Sequence, residues 1–409
     1  MANPIAPPVV APTTNGNGIF PAEDAAGQTV AAIAQAETVS ADEIALYDRQ
    51  IRLWGLEAQN RIRNANILLV SIKAFANEVA KNLVLAGIGS ITLADSEVVT
   101  EEDLGAQFFV NDADVGKNRA EAAAPEVQKL NPRVKVNVIP ADVTKNAPTF
   151  FEAFDVIIAT DLPFMAMTDV NAGARVANRP FYAGGTYGLY GYIFTDLGAH
   201  EFVIERDSNQ ATKIAPETAT RSVIDTKLRK SGNKTIELVT KRELYSPLLL
   251  ANTSPLAPEM QSKRKLKNVH PLLTCIRTLW DYQRNNKDGA IYPAHTKESL
   301  EAFITSAKEK HLELKLLPET LTADFLKSFL ANLGSELAPV TAFLGGQLAQ
   351  DVINVLGKRE QPIQNLMLFD GEDCAGPVYA LHPIFPNNPI VPIPGILPVE
   401  TPATATMVL

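Results

Sequence analysis

Residues 68–87, LLVSIKAFANEVAKNLVLAG, decide the fold of this chain. The run LLV is short and apolar, and the residues after the turn have helical periodicity. A second apolar, β-branched run, ITLAD, follows at 91–95. Strand, helix and strand within about thirty residues form a βαβ unit with parallel strands. Nucleotide-binding folds contain this unit, but the turn at 71–76 (SIKAFA) lacks the glycines that usually surround a phosphate.

Further strand-like runs alternate with helical patterns along the next hundred or so residues. This alternation predicts a doubly wound, mostly parallel, Rossmann-like α/β sheet. The stretch GLYGYIFTDLG (188–198) breaks the rhythm and predicts antiparallel strands that extend the sheet, and NLMLFDG (365–371) predicts a strand that returns to it. The alternating runs are strands at 134–140, 155–160 and 179–184, with helices around 117–130 and 168–178.

The chain divides into five segments by composition. Ala, Pro and Thr without periodicity predict a disordered arm, and closely spaced prolines predict an extended tail. A polar, mixed and largely helical insertion interrupts the α/β domain. The segments are the arm (1–39), the first part of the domain (40–200), the insertion (201–325), the return to the domain (326–382) and the tail (383–409).

Charge and composition exclude several classes of function. A net charge of −9 argues against nucleic acid as the main partner, because binding phosphates needs a basic face. No apolar run is long enough for a membrane span. The two cysteines, Cys275 and Cys374, cannot form a cysteine-ligated zinc site and suit a reducing compartment.

The turn and the strand end after it predict a lost nucleotide site. Ala74 and Phe75 are expected to place side chains where a phosphate would lie. Asp95 ends the second strand, where a ribose-binding carboxylate stands in Rossmann folds. The residues alone leave a second interpretation open, an α/β domain that never bound a nucleotide.

Several separated segments resemble the ubiquitin-like modifier activating enzymes. The resemblance covers essentially the whole α/β portion in order, which is far more specific than one glycine motif, and it is loose in the insertion. The matching segments are 46–95, starting LYDRQIRLWG, with GAQFF (105–109), DVGKNRAEAAAPEVQKLNP (114–132), TYGLYGYIFTDLG (186–198) and 343–371, starting FLGGQLAQDVINVLG.

The resemblance implies a particular kind of subunit. These enzymes pair two related halves: one binds ATP and Mg²⁺ and carries the cysteine that accepts the modifier, and the other keeps the fold without the site. In the active half an Asn-Arg-Gln-Phe run contacts ATP, and the matching run here is Gly105-Ala106-Gln107-Phe108. The resemblance therefore implies a non-catalytic subunit, with ATP and Mg²⁺ in the partner's site and none bound by this chain alone.

Length selects a branch of the family. A chain of 409 residues with a modest insertion resembles the small subunit of the SUMO-activating enzymes. The Nedd-type regulatory subunit remains an alternative, as does a stand-alone Rossmann-fold enzyme that uses a nucleotide. The expected partners are the large catalytic subunit, SUMO and, indirectly, a conjugating enzyme, mainly in the nucleus with some in the cytoplasm. The run KRKLK (263–267) is either an import signal or a solvated surface.

Arg49 is the candidate site residue. On a helical wheel it lies about 180° from an apolar stripe, so it is free to leave its own domain. The resemblance implies that the arginine of the YDRQ motif reaches the ATP phosphates held by the partner. The alternative is a surface arginine paired with Asp48 or Glu57. The stripe consists of Ile44, Tyr47, Ile51 and Trp54.

Three further residues receive structural interpretations, and no metal site is predicted in this chain. Asp161 lies near where the active half keeps a metal-binding aspartate and is expected to cap the next helix. Cys275 has apolar neighbours and is expected to be a core thiol. Cys374 is expected in a turn, with no histidine partner evident.

Overall fold

The computed structural model describes residues 41–207, 211–231, 234–286 and 289–383. The predicted arm and all but the first residue of the predicted tail lie outside these ranges. The contacts between residues divide the chain into two units, 1–56 and 57–409.

The described part of the first unit is mainly one helix, α1 (Ala41–Trp54). Its backbone is not helical at Tyr47 (φ −103°, ψ 16°), so two helical segments meet there. Tyr47 and Ile51 are buried and pack with Leu56, as the apolar stripe predicts. Arg52 pairs with Asp48 one turn earlier, with Nε and Oδ2 2.9 Å apart. Because of this kink, the angles of a regular helical wheel apply only to the residues after Tyr47.

An eight-stranded sheet forms the centre of the second unit, in the order β11-β10-β6-β5-β4-β1-β2-β3. Strands β1 to β5 are parallel, and β6, β10 and β11 each run antiparallel to their neighbours. The prediction of a mostly parallel sheet with antiparallel strands added at one side is confirmed. The strands are β1 (Asn66–Val70), β2 (Ser90–Ala94), β3 (Lys135–Ile139), β4 (Val156–Thr160), β5 (Phe181–Tyr187), β6 (Tyr190–Asp196), β10 (Leu366–Asp370) and β11 (Val378–Tyr379).

Helices connect the strands of the sheet. Helix α3 contains the second half of the stretch that decides the fold. It begins at Ala74 and ends before Gly87, whose positive φ of 81° suits glycine. The helices are α2 (Leu56–Asn64), α3 (Ala74–Ala86), α4 (Arg119–Leu130), α5 (Pro148–Phe151), α6 (Phe164–Val176) and α12 (Ala338–Gly357).

The insertion contains both a sheet and helices. Its three strands, in the order β7-β9-β8, form an antiparallel sheet, and helices follow. Trp280 joins these helices to the main core, because its ring stacks on Phe164 with ring centres 5.3 Å apart. The elements are β7 (Ala199–Asp207), β8 (Arg221–Ser231), β9 (Lys234–Leu244), α7 (Leu248–Thr253), α8 (Lys263–Leu266), α9 (Leu272–Asn285), α10 (Lys297–Glu313) and α11 (Ala323–Asn332).

Helices α3 and α12 approach closely, although about 250 residues of chain separate them. A side chain at Gly345 would place its Cβ 2.4 Å from the Cβ of Glu78, so only glycine allows this approach. Arg61 holds the other end of α12 by donating to the carbonyl groups of Leu356 and Gly357, at 2.9 and 2.7 Å. A cation at a helix C-terminus is electrostatically favourable. These contacts fix α12 beside the first βαβ unit.

None of the helices in the described ranges combines the length and the apolar composition that crossing a bilayer requires.

The close approach at Gly345 generates a stability prediction. We expect Gly345→Ala to lower the free energy of unfolding by roughly 1–3 kcal/mol, because α3 must shift to admit the methyl group. Gly346→Ala is the matched control: its Cβ would meet no atom within 4 Å, and alanine favours a helix by up to about 1 kcal/mol. Urea denaturation of both variants measures the difference, and equal stability would contradict the packing described.

Candidate functional site

The carboxyl ends of β1, β2 and β4 meet where a Rossmann fold binds its nucleotide. Ser71 follows β1 with a φ of 67°, and Asp161 follows β4 with a φ of 49°. Both residues are in the left-handed region that side chains other than glycine rarely adopt. Thr160 supports this turn by donating its hydroxyl hydrogen to the Ser71 carbonyl oxygen at 2.9 Å. The chain thus makes the tight turn without glycine.

The Asp95 carboxylate is already bound by its own chain. One oxygen accepts a hydrogen bond from the Ile72 N–H at 2.7 Å, and the other accepts one from the Glu97 N–H at 2.9 Å. Arg119 forms an ion pair with both oxygens, with Nε–Oδ2 at 3.0 Å and Nη2–Oδ1 at 3.3 Å. The side chains of Asp95 and Arg119 are 3% and 7% exposed. No side of the carboxylate remains for a ribose hydroxyl.

Arg119 also links Asp95 to the Gly105-Ala106-Gln107-Phe108 run. Its Nη1 lies 3.7 Å from the Asp103 carboxylate. Gln107, in the middle of that run, is buried and donates to the same Asp103 oxygen at 2.6 Å. Phe108 is half exposed and lies under the Lys81 ammonium group, 5.3 Å from the ring centre. The retained glutamine therefore serves internal packing.

A carboxylate of the chain also occupies the N-terminus of α3, the place where such helices bind phosphate. Glu336 lies close to the Ala74 N–H and to the positive charge of Lys73, and both lower the pKa of its carboxyl. Burial and the nearby Asp161 charge raise the pKa of the Glu336 carboxyl to about 7, against these two effects. Burial likewise raises the pKa of Asp161 to about 6. Both carboxyl groups lie close enough to Lys73 for its positive charge to lower their pKa values, against the effect of burial.

Two expectations for the region at the carboxyl ends of β1, β2 and β4, which we call the nucleotide corner, are wrong. Asp161 does not cap the next helix, whose first residues have no side-chain cap. Its Oδ1 instead accepts the Thr186 N–H at 2.9 Å, and this contact joins the end of β4 to β5. Phe75 does not lie over the turn: it is fully buried, and its ring fills the space above Gly184 in β5. The ring therefore makes a packing contact with β5 and does not occupy the place of a phosphate.

Arg49 is exposed and makes no ion pair or hydrogen bond with another residue of the described ranges. The two acids that the sequence offered as its partners pair with other arginines. Asp48 pairs with Arg52, and Glu57 pairs with Arg61. Arg49 thus presents a free guanidinium on the same helix as the paired Arg52, which is a natural control for it.

The two cysteines lie as predicted. Cys275 is completely buried in α9, and burial raises the pKa of its thiol well above the usual range, which suppresses the nucleophilic thiolate. Cys374 is exposed in the turn after β10, and its sulfur lies 3.9 Å from the Gly371 carbonyl oxygen.

One cluster in the described ranges has the residue types of a metal site, but its hydrogen bonds do not suit a metal. His270, Asp370 and Asp373 bring potential ligand atoms within 4.8 Å of one another. His270 Nδ1 accepts the Leu272 N–H at 3.2 Å, so the proton of the neutral ring is on Nε2. Nε2 then donates toward Asp370, 3.2 Å away. A metal on Nε2 would need the proton on Nδ1 instead. The cluster joins the insertion to β10.

These contacts define the class of the protein. It is a Rossmann-like α/β domain whose nucleotide corner is filled by its own side chains: Arg119 on the strand-end carboxylate and Glu336 at the helix N-terminus. The sequence indicated the missing glycines, but not Glu336, which lies 263 positions after Lys73 along the chain.

Comparison with known proteins identifies the family. A family model described as ThiF family matches residues 47–383, and the chain belongs to the ThiF family. DNA damage tolerance protein RHC31 of Saccharomyces cerevisiae is 37% identical over 349 residues, which are 84% of this chain and 98% of that protein. SUMO-activating enzyme subunit 1 of Homo sapiens is 35% identical over 347 residues, 84% of this chain and 97% of that protein. The Mus musculus protein of the same name is 36% identical over 343 residues, 83% of this chain and 94% of that protein.

The Glu336 carboxyl predicts how stability changes with pH. Its pKa is about 7 in the folded chain against an ordinary 4.5, so between these values the folded state retains a proton that the unfolded state releases. Stability therefore falls as pH rises through this window. We expect Glu336→Gln to flatten the fall in free energy of unfolding between about pH 5 and pH 8.

Urea denaturation across that pH range measures the effect. Glu309→Gln, at an exposed position on α10, is the control and should leave the profile unchanged. A Glu336→Gln profile as steep as that of the unmodified chain would show that this carboxyl is not held protonated.

Proposed function

We propose that this chain is the non-catalytic small subunit of a heterodimeric SUMO-activating enzyme. Relatives covered almost end to end by this chain are named SUMO-activating enzyme subunit 1, and the α/β domain keeps its fold without an open nucleotide corner. In this proposal the large partner subunit binds ATP and Mg²⁺ and carries the reactive cysteine. The chain alone is inactive.

The filled corner is the main observation that supports assigning ATP binding and catalysis to the partner subunit. A ribose would have to displace Arg119 from Asp95, leaving the buried arginine with only its longer 3.7 Å contact to Asp103, and breaking a buried ion pair typically costs several kcal/mol. A phosphate at the start of α3 would have to displace Glu336. Of the two cysteines, Cys275 is inaccessible, and Cys374 has no hydrogen bond to a histidine or another base within the part of the chain that the structure describes. These features support a structural role for this half.

Arg49 supplies the one chemical contribution that we assign to this chain. The modifier's C-terminal carboxylate attacks the α-phosphorus of ATP and releases pyrophosphate, and negative charge builds on the phosphate oxygens during the attack. The partner's cysteine then displaces AMP and forms a thioester. A guanidinium is always charged and donates several hydrogen bonds in a fixed plane, so it suits phosphate oxygens in the transition state. We assign this contact to Arg49, donated across the dimer in the manner of an arginine finger.

The insertion has a supporting role in this proposal. Its helices share a continuous apolar core with the sheet, through Trp280 and Phe164 among other residues, so it is a firm base on which the partner's cysteine-bearing domain can rest. We also propose that the enzyme is mainly nuclear, with a cytoplasmic fraction, and that it acts on a conjugating enzyme through the charged modifier.

Arg49→Ala tests the assignment. We expect the heterodimer to form normally and the formation of the AMP–modifier intermediate to fall by roughly one to three orders of magnitude, the usual scale for groups that stabilise phosphoryl charge. ATP–pyrophosphate exchange by the purified heterodimer, with SUMO present, measures this step directly.

Arg52→Ala is the matched control, since Arg52 is exposed on the same helix but paired with Asp48. It should exchange pyrophosphate at nearly the unmodified rate. An unchanged pyrophosphate-exchange rate for Arg49→Ala, or an equal loss of rate in both variants, would contradict the role assigned to Arg49.

The isolated chain provides a second test. We expect no measurable binding of ATP or NAD by this subunit alone, because Arg119 and Glu336 hold the positions of ribose and phosphate. Isothermal titration calorimetry with ATP and Mg²⁺ measures it. Micromolar affinity in the absence of a partner would favour a stand-alone Rossmann-fold enzyme instead.

A further inference from the structure

A cleft of about 450 Å³ lies away from the nucleotide corner. Helix α12 lines it together with the segments before α8 and before β10 and with strand β11. Aliphatic side chains form part of its walls, and one of them, Val378, is half exposed. The larger apolar residues are Leu256, Met260, Pro362, Ile363 and Val378.

A buried amide in this cleft has one unused acceptor. Gln364 is only 6% exposed, and its Nε2 donates to the Leu244 carbonyl oxygen at 3.0 Å. Its Oε1 has no hydrogen-bond partner within the described ranges. Buried acceptors are almost always paired, so this oxygen lacks the partner that such an atom normally has. Asp351, also in the cleft, differs because its two oxygens already accept from Tyr182 and Ile363.

A basic segment, which we call the rim, begins three residues after Met260, a residue that lines the cleft. Helix α8 carries Lys263, Arg264 and Lys265, followed by Lys267, and all four side chains are exposed. The Lys265 ammonium group donates to the carbonyl oxygen of Glu259, a residue that lines the cleft, at 2.8 Å. Leu266 is buried and fixes this short helix in place.

This local charge is opposite to that of the whole chain, whose net charge is −9. Glu259 is the one exposed acid among the lining residues, and its charge is outnumbered by the four cations of the rim. Arg221, which also lines the cleft, is neutralised by Glu243. Charge therefore favours an acidic occupant.

We propose that this cleft is a docking site for an extended acidic segment of another protein, with an aliphatic side chain between Asp or Glu residues. The aliphatic side chain packs against Leu256, Met260 and Val378. A backbone N–H of the segment donates to Gln364 Oε1, and the flanking carboxylates pair with the cations of the rim. The chain's own residues 384–409 fit less well, since they contain a single acid, Glu400.

Fluorescence anisotropy with labelled peptides tests the proposal on the full-length chain purified with its stoichiometric partner. The probe has an Ile-Val-Leu centre flanked by glutamates. Three comparison peptides replace the centre by serines, replace the glutamates by lysines, or reproduce residues 384–409. We expect the first probe to bind most tightly and its affinity to fall as salt increases.

Two kinds of variant locate the binding. The double variant Lys263→Glu, Lys265→Glu should weaken binding of the probe at least about tenfold, since two ion pairs with the rim are replaced by repulsion between like charges. Lys297→Glu with Lys308→Glu, which changes the net charge equally on α10, should leave binding within about twofold. Val378→Asp should also abolish binding, whereas Val176→Asp, at an exposed valine on α6, should not.

Several results would overturn the proposal. One is failure of the acidic aliphatic probe to bind, and another is equal binding of the serine-centred or lysine-flanked peptide. Unchanged affinity in the Lys263→Glu, Lys265→Glu variant would place the site elsewhere. Tighter binding of the 384–409 peptide would assign the cleft to the chain's own tail instead of another protein. Pyrophosphate exchange by the same variants shows whether they fold, independently of any role of Arg49.

Discussion

The ion pair between Arg119 and Asp95 is the constraint on which the rest of this domain depends. It is buried, and the same carboxylate accepts the backbone N–H groups of Ile72, two residues after β1, and Glu97, three residues after β2, so one side chain ties two strand ends and the start of α4 together. A buried ion pair is stable only when its remaining hydrogen bonds are satisfied, as they are for Asp95. The arrangement that would otherwise receive a nucleotide thus holds the sheet ends in register. In the proposed function, the same contacts both close this region to a nucleotide and order the strand ends.

Much of the fold could be predicted from the sequence because local patterns determine it. The run from Leu68 to Gly87, the second strand at 91–95 and the alternation after it place the parallel sheet correctly, since each depends on periodicity and short-range turns. The antiparallel strands from Tyr190 and from Leu366 were also recognisable. The long strands β8 and β9 were not, because their charged residues obscure the alternation that identifies a strand.

The corner itself could be predicted only in part, because its contacts join residues far apart in the chain. The absent glycines and the lost Asn and Arg indicated that the nucleotide site had changed. The sequence could not show that Glu336 reaches the start of α3, or that Asp161 bonds to Thr186 in the neighbouring strand. Phe75 shows the same limit: its residue type suggested obstruction, whereas the partner that explains it, Gly184, lies on β5. Side-chain direction at a turn depends on tertiary packing that no local pattern contains.

The pairing of β10 with β6 has a consequence for the order in which the chain is assembled during synthesis. Strand β6 is complete at Asp196, but its neighbour β10 begins at Leu366, so the ribosome must produce the whole insertion before that edge of the sheet can close. Until then β6 presents an open edge with unpaired backbone groups, the kind of surface that invites aggregation. A nascent chain of this protein therefore has a long vulnerable interval. In the folded chain the insertion packs against β6 itself, with the Trp280 and Tyr192 ring centres 5.2 Å apart.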